Sequence, residues 1–463
     1  MPADDATVGR CVGRAEALKQ LISLDERAPR YTSYPTALDF SDAVGEPEYR
    51  QWLQTLPTDE PVSLYAHVPF CQTLCWYCGC NTRAVRNPEI ISKYVSLLVR
   101  EIEMVGRSLP GRLSSGALHL GGGTPNMLGE ADLDVLFSAL RRTFAIHDGA
   151  DISVEIDPAV LTEDWVRAAA RHGLSRASLG VQDLSPAVQA AVNRIEPFEV
   201  IQRAAGWLRR AGVRSLNFDL MYGLPLQGVA EVQATLDQIL TLRPERLALF
   251  GYAHVPWARA HQRLIDETQL AGAEDRLEQS EAAAERLKAE GYVRIGLDHY
   301  AVPEDTLAVA LAEHRLHRNF QGYTTDPHTT LLAFGVSAIG RLPQGYVQNF
   351  VAETEWRAAV AADRLPVRKG LALTDEDRLR AEVIETLMCD LAVDAGVICR
   401  RRGRPEDHLD SALATLAPLV DAGVARVRDR RVEITPVGRP FLRTVAKAFD
   451  ARSQPGGGFS KAI

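Results

Sequence analysis

Six short apolar runs, each followed by a segment of helical periodicity, constrain the fold of this chain more than any other feature. The runs are VSLYAHVPF, ALHLGGGTP, ISVEIDP, RASLGVQD, SLNFDLMYGLP and LALFGYAHVP. Between them lie segments such as ISKYVSLLVREIEMVG, LDVLFSALRRTF and FEVIQRAAGWLRRAG, whose apolar residues recur every three or four positions. A strand apolar at nearly every position must be covered on both faces. Crossover helices between parallel strands supply that cover. The expected fold is therefore α/β, a partial parallel (β/α)6 barrel.

Polar residues and glycines gather just after these runs, at Cys71 to Cys80, Gly121 to Thr124, Glu155, Gln182, Asp219 and Ala253. Ligands of parallel α/β folds bind at the carboxyl ends of the strands, which lie on one face. The chemistry-bearing residues should converge on one mouth.

Three units are expected: an N-terminal arm over 1–60, the barrel over 61–350 and a C-terminal domain over 351–463. In the first, turn signals are scattered and no amphipathic pattern is sustained. Its segment APRYTSYPTALDF, with Pro29 and Pro35, reads as an extended arm that either packs over a core or covers a site. In the last, the helical runs DEDRLRAEVIETLMCDL and HLDSALATLAPLVDAG precede ARVRDRRVEITP, which reads as a β-hairpin. Helices followed by a hairpin make a mostly helical, winged-helix-like module, either a packing domain or a DNA-binding one. Packing is favoured, because 52 basic against 60 acidic residues leave a net charge of −8 and no long basic face. The tail SQPGGGFSKAI should be mobile.

The same charge balance argues against general affinity for nucleic acid or anionic membrane. No apolar run reaches the ~20 residues that span a bilayer. The opening MPADDATVGR is acidic and polar, unlike a signal or transit peptide. A soluble, cytoplasmic monomer is expected.

Of seven cysteines, four crowd together at Cys71, Cys75, Cys78 and Cys80, while Cys11, Cys389 and Cys399 stand alone. In a reducing compartment such a cluster binds metal or does redox chemistry rather than forming disulfides. Structural zinc usually takes two separated Cys-x2-Cys pairs, and no second pair exists here. Three thiolates on a four-iron cluster leave one iron open for a substrate ligand. Cys80 as a fourth ligand keeps zinc open as the alternative. Trp76 and Tyr77 would shield the site from water, and Cys389, on an apolar helical stretch, reads as core.

Cys71-x3-Cys75-x2-Cys78 after the first strand and Gly121-Gly122-Gly123-Thr124-Pro125 after the second resemble the radical S-adenosylmethionine (SAM) superfamily. The strings YAHVPFCQTLCWYCGCNT, LHLGGGTPNML, NFDLMYGLP, GYAHVPW and LHRNFQGYTT narrow the likeness to the oxygen-independent coproporphyrinogen III dehydrogenase family of haem biosynthesis. The resemblance runs from RYTSYPTALDF to at least FGVSAIG.

The resemblance implies that Cys71, Cys75 and Cys78 hold a [4Fe–4S] cluster and that two SAM molecules bind. Tyr65, Gly122, Glu155 and Ile339 match positions around the cluster-bound SAM. Tyr77, Gly123, Thr124, Gln182, Arg194, Asp219 and Ala253 match those around the second. It implies oxidative decarboxylation of two propionates of coproporphyrinogen III to vinyl groups, giving protoporphyrinogen IX, with electrons from a donor protein. Cys80 matches a family cysteine outside the ligand set, placed either to transfer a proton or hydrogen near the substrate or simply as a small buried thiol. A substrate with four propionates needs a local positive pocket in this acidic chain. Arg30, Arg315 and Arg318 are the candidates for it. The rival reading is a haem-binding chaperone of the same family, with His314 or His317 as axial ligand. A second rival is a winged-helix regulator that uses the cluster as a sensor.

Overall fold

The computed structural model describes residues 22–23 and 27–453. Cys11, the first ten residues and residues 454–463 of the tail lie outside the described residues.

The six apolar runs form strands β1 (Val62–Val68), β2 (Ser114–Gly122), β3 (Ala145–Ile156), β4 (Leu174–Gln182), β5 (Ser215–Tyr222) and β6 (Arg246–Gly251). Each pairs in parallel with the next. Helix α1 (Glu46–Gln54) precedes them. Helices α2 (Pro88–Ser108), α3 (Glu130–Thr143), α4 (Glu163–Arg171), α5 (Phe198–Arg210) and α6 (Val229–Leu240) are the crossovers. Their starts are written in the chain: Asn87 accepts from the Glu89 N–H ahead of Pro88, and the Thr162 hydroxyl accepts from the Trp165 N–H. The inner stripe of α2, with Ile91, Tyr94, Val95, Leu98, Ile102 and Val105, is buried against the sheet.

The sheet continues past β6. Strands β7 (Val293–Ile295), β8 (His299–Ala301), β9 (Leu331–Phe334), β10 (Ile339–Leu342), β11 (Gly345–Asn349) and β12 (Val367–Ala372) extend both edges. The order across the sheet is β12-β11-β10-β9-β1-β2-β3-β4-β5-β6-β8-β7. Only β9 joins the parallel set, beside β1; the other additions pair antiparallel. Among the described residues β12 and β7 do not pair, so the barrel stays open.

The chain within 1–60 holds a helix that the sequence reading did not expect. Helix α1 buries Tyr49, Trp52 and Leu53. At the other end, β12 and the helix Glu353–Ala361 belong to the large sheet and its core, so that unit runs on to Ala372. A second core starts with the helix Asp375–Asp390, which opens on a Thr374–Asp377 capping box. It includes the hairpin Ala425–Arg428 with Arg431–Ile434, which pairs with Ala392–Asp394 to complete a three-stranded sheet. Cys399 is buried in this core, and Cys389, on the helix Asp375–Asp390, is buried in a neighbouring cluster with Ile295, Leu307 and Tyr323.

The arm ties the two cores together. Tyr31 and Tyr34 are buried in the second core; the Tyr31 hydroxyl donates to Asp450 at 3.0 Å and the Ala451 N–H donates to the Tyr34 hydroxyl. Among the described residues no helix is long and apolar enough to cross a membrane.

Candidate active site at the strand mouth

Side chains alternate along a strand, so residues two apart share a face. Tyr65 and His67 on β1, His119 and Gly121 on β2, Ser153 and Glu155 on β3, Ser178 and Gly180 on β4, and Asn217 and Asp219 on β5 are such pairs. Most of them line one of two adjoining cavities, each of about 810 Å³. The outer cavity is bounded by Cys71, Cys75, Cys78, Cys80, Gly122, Gly123, Thr124, Glu155, Gln182, Arg194 and Asp219. The inner one is bounded by His119, Ser153, Asn217 and His299. Glu155, Ser178 and Asp219 line both.

The cysteine loop starts where β1 ends and is held by backbone hydrogen bonds. The Gly123 N–H donates to the Val68 carbonyl at 2.8 Å, and the Thr124 N–H to the Phe70 carbonyl at 2.7 Å. A Cβ on Gly123 would lie 2.5 Å from the Thr82 hydroxyl and 2.7 Å from the Phe70 carbonyl. Gly122 has φ +117°, and a Cβ there would meet the His67 ring at 2.6 Å. Only glycine lets the second loop approach the cysteines this closely.

The thiols have distinct partners. Cys71 Sγ lies 3.1 Å from the Thr82 hydroxyl and 3.4 Å from that of Thr124. The Arg194 guanidinium donates to Cys75 Sγ at 3.4 Å, and the Cys80 N–H to Cys78 Sγ at 3.4 Å. Burial pushes the Cys71 and Cys75 thiols up, against the hydroxyls and Arg194. Cys78 is drawn down to about 6, chiefly by its hydrogen bond from the Cys80 thiol, which is itself pushed up. Among the described residues no three His, Cys, Asp or Glu side chains converge as a single metal ion requires. Three thiols spread along one cavity wall suit a larger inorganic group.

Glu155 accepts from the Gly122 N–H at 2.9 Å and lies 3.5 Å from His119 Nε2. Its side chain is 40% exposed, facing the cavity. Burial raises its carboxyl, but His119, the Gly122 N–H and His67 outweigh burial and hold it below the usual range. Tyr65 stacks on His119 with ring centroids 5.8 Å apart. His67 Nε2 lies 3.0 Å from the Asn81 carbonyl and so carries the proton, leaving Nδ1 to accept from the Tyr65 hydroxyl at 2.9 Å.

On the far wall Asp219 accepts from Ser178 and Asn217, each at 2.7 Å, and burial with the Glu155 charge pushes it up to about 6. Gln182 takes φ +69°, a left-handed conformation rare outside glycine, at the end of β4. Arg194 donates to the Gly180 carbonyl at 2.6 Å and pairs with Glu196 at 3.0 Å and Asp157 at 3.5 Å. Burial pushes Glu196 up to about 9 against the pull of Arg194, so it is protonated at neutral pH. Arg194→Leu leaves one uncompensated buried negative charge and is expected to cost about 3–5 kcal/mol of stability, read by urea denaturation. Arg194→Lys keeps the charge and loses less.

Three of the site residues proposed from the sequence, Tyr65, Ala253 and Ile339, do not line this cavity. The Ala253 carbonyl accepts from Gln262, whose amide also donates to the Tyr77 carbonyl at 2.9 Å. Ile339 heads β10 and packs beside Phe40, Tyr346 and Leu371. Of the candidate substrate arginines, Arg315 is a surface residue paired with Glu313. Arg30 donates to the Gly251 carbonyl at 3.1 Å. Arg318 is buried, donating to the Tyr31 and Arg30 carbonyls. His314 pairs with Asp390 and His317 with Glu385, each at 3.3 Å; neither lines the cysteine cavity. The sequence reading passed over His67, His119, Ser178, Asn217, His261 and Gln262. For the strand residues the period-two alternation with Tyr65, Gly121, Gly180 and Asp219 was the available signal.

Residues 65–239 match the model of the radical SAM superfamily. Over 433 residues the chain is 48% identical to the oxygen-independent coproporphyrinogen III oxidase of Bradyrhizobium diazoefficiens, covering 93% of this chain and 96% of that protein. It is 38% identical over 423 residues to the protein of the same name from Escherichia coli, covering 91% and 92%. The solved structure of coproporphyrinogen III oxidase from Escherichia coli, described as a radical SAM enzyme, superposes with a TM-score of 0.87 at 36% identity. That superposition covers 92% of this chain and all of the other.

Proposed function

The chain belongs to the oxygen-independent coproporphyrinogen III oxidases of the radical SAM superfamily, and from that premise we propose that Cys71, Cys75 and Cys78 are the three cluster ligands, with SAM in the cavity beside them. The enzyme converts two propionate side chains of coproporphyrinogen III to vinyl groups with loss of carbon dioxide, in anaerobic haem biosynthesis. Its cofactors are a [4Fe–4S] cluster and SAM. When bound, the cluster would supply the single electron for reductive cleavage of SAM, with Cys71, Cys75 and Cys78 holding it beside the SAM cavity.

The observation that carries the ligand assignment is the arrangement of donors around the outer cavity. Three thiols line the cavity together with two carboxylates, Glu155 and Asp219, and the Arg194 guanidinium that touches Cys75. Arg194 Nε and Asn217 Oδ1 are buried without a hydrogen-bond partner. Orphaned polar atoms beside a cavity suit a polar ligand. In this reading Glu155 and Asp219 accept from ammonium or ribose hydroxyls, Arg194 pairs with a carboxylate, and the glycines bare their backbone to the ligand. Tyr65, stacked on His119 and hydrogen-bonded to His67, fixes the His119 ring that lines the inner cavity and through it backs the first SAM. Cys80, hydrogen-bonded to Cys78 and lining the same cavity as the cluster ligands, is in this reading the group that passes a proton or hydrogen atom to the substrate. The reading extends to a monomer working in the cytoplasm with an electron-donor protein.

The test is anaerobic turnover of reconstituted protein with SAM, a strong reductant and coproporphyrinogen III. The expected product, read by mass spectrometry, lacks two carboxyl groups, and Asp219→Ala should suppress it while leaving the cluster spectrum intact. Asp219→Ala with full activity would remove Asp219 from the SAM site.

A further inference from the structure

The loop after β6 backs onto the cysteine loop, and its outward face has no role in the reading above. His261 Nε2 lies 2.7 Å from the Cys78 carbonyl, and Gln262 holds the Tyr77 carbonyl. The outer side of this loop carries Trp257 and Leu264, 56% and 60% exposed. One more large apolar side chain flanks it: exposed Leu226, whose N–H donates to the Gln269 carbonyl. Single exposed apolar residues are ordinary, but a group beside one redox loop forms a patch of the kind that contacts proteins.

The patch is also locally basic. Arg259 and Arg263 have no ion-pair partner among the described residues, and the Arg27 guanidinium sits 5.3 Å over the Trp257 ring. Against these three arginines the loop sets two carboxylates, Asp266, bonded to Thr268, and Glu267, which lies 3.0 Å from His254 Nε2. Since the chain carries −8 overall, an acidic protein is repelled by its average surface and drawn to this face.

We propose that this face, centred on Trp257, Arg259, Arg263 and Leu264, docks an acidic one-electron carrier protein that reduces the group held by Cys71, Cys75 and Cys78. The proposal rests on the cluster reading above and deepens it by giving the donor its place. One electron leaves the carrier, which is oxidised, and enters the bound group, which is reduced; no atom or proton changes hands. The route is short, because the docking loop is hydrogen-bonded directly to the backbone of a ligand residue.

The experiment mixes anaerobic reconstituted enzyme with reduced flavodoxin, an acidic flavin protein, and follows bleaching of the cluster by stopped flow. The wild-type rate should fall as salt rises. In Arg259→Glu/Arg263→Glu it should drop at least ~10-fold, with the salt dependence lost. Trp257→Ala should weaken binding of oxidised flavodoxin, measured by calorimetry. Dithionite, which needs no docking, should reduce all variants equally. Equal flavodoxin rates and affinities in wild type and variants would overturn the docking site alone. A wild-type protein that dithionite cannot reduce would overturn the cluster reading and the docking site with it.

Discussion

Cys75→Ala is expected to abolish turnover and cluster assembly together, whereas Cys80→Ala keeps the cluster. The two thiols are five residues apart and face the same cavity, so the contrast depends on their surroundings. Cys75 has a partner of its own, the Arg194 guanidinium on its sulfur. A thiolate there is stabilised by that charge and supplies a donor direction that no other thiol duplicates. Cys80 instead donates its N–H and its thiol to Cys78 and takes its place beside that sulfur. It supports one ligand rather than adding a fourth direction. Iron and sulfide analysis with the visible spectrum reads the outcome directly, before any assay of product. Cys75→Ala should come out of reconstitution colourless; Cys80→Ala should match wild type in iron content. A colourless Cys80→Ala would mean four thiolates hold the metal, the arrangement of a closed structural site, and the open iron that SAM needs would be gone.

Much of this site is legible in the chain because it is local. The three thiols and the glycine loop each fall within a few residues, and parallel strands buried on both faces announce themselves as unbroken apolar runs. The antiparallel edges do not. GYVQN and VRKGLA, which form β11 and β12, mix polar and apolar residues without a long run, and they are held by pairing rather than by composition. Helix α1 escaped for a related reason: it buries three residues on one side and carries a proline in its first turn. Arg194 had no local signature at all. Its partners Gly180, Asp157 and Cys75 come from three other segments, so only the family resemblance pointed to it. Ile339 too was named by the resemblance alone, and it packs beside Phe40, Tyr346 and Leu371 rather than on the cysteine cavity.

The same long-range logic puts the largest structural effect at a residue that the sequence reading passed over. Glu101 sits on the apolar stripe of α2, 1% exposed, and accepts three hydrogen bonds. Oε1 takes the Asn349 amide at 2.7 Å, while Oε2 takes the Gly335 N–H at 2.9 Å and the Trp356 indole at 2.8 Å. All three donors come from the closing strands and helix more than 230 residues away, so one carboxyl fastens the last part of the sheet to the first long helix. Glu101→Leu fits the apolar stripe but leaves three buried donors unpaired, at about 1–3 kcal/mol each before relaxation. A net loss of about 3–5 kcal/mol is expected in urea denaturation. Glu101→Gln keeps the acceptor at Oε2 and turns an NH2 toward the Asn349 amide. That amide cannot simply flip, because it also donates to the Gly335 carbonyl, so a smaller loss of about 1–2 kcal/mol follows. The pH dependence separates a buried acid from a mere packing residue. Burial lifts Glu101 to about 7 despite its three donors, so between its unfolded value and pH 7 the native state binds more protons than the unfolded one. Stability from this group is then full below the ordinary carboxyl range and declines as pH rises toward 7, by at most about 3 kcal/mol. Glu101→Gln has no such proton to lose, so the stability gap between wild type and Glu101→Gln should narrow steadily from pH 5 to pH 7.5. A gap that stays constant across that range would mean Glu101 is already ionised at the acid end, with its three donors outweighing its burial.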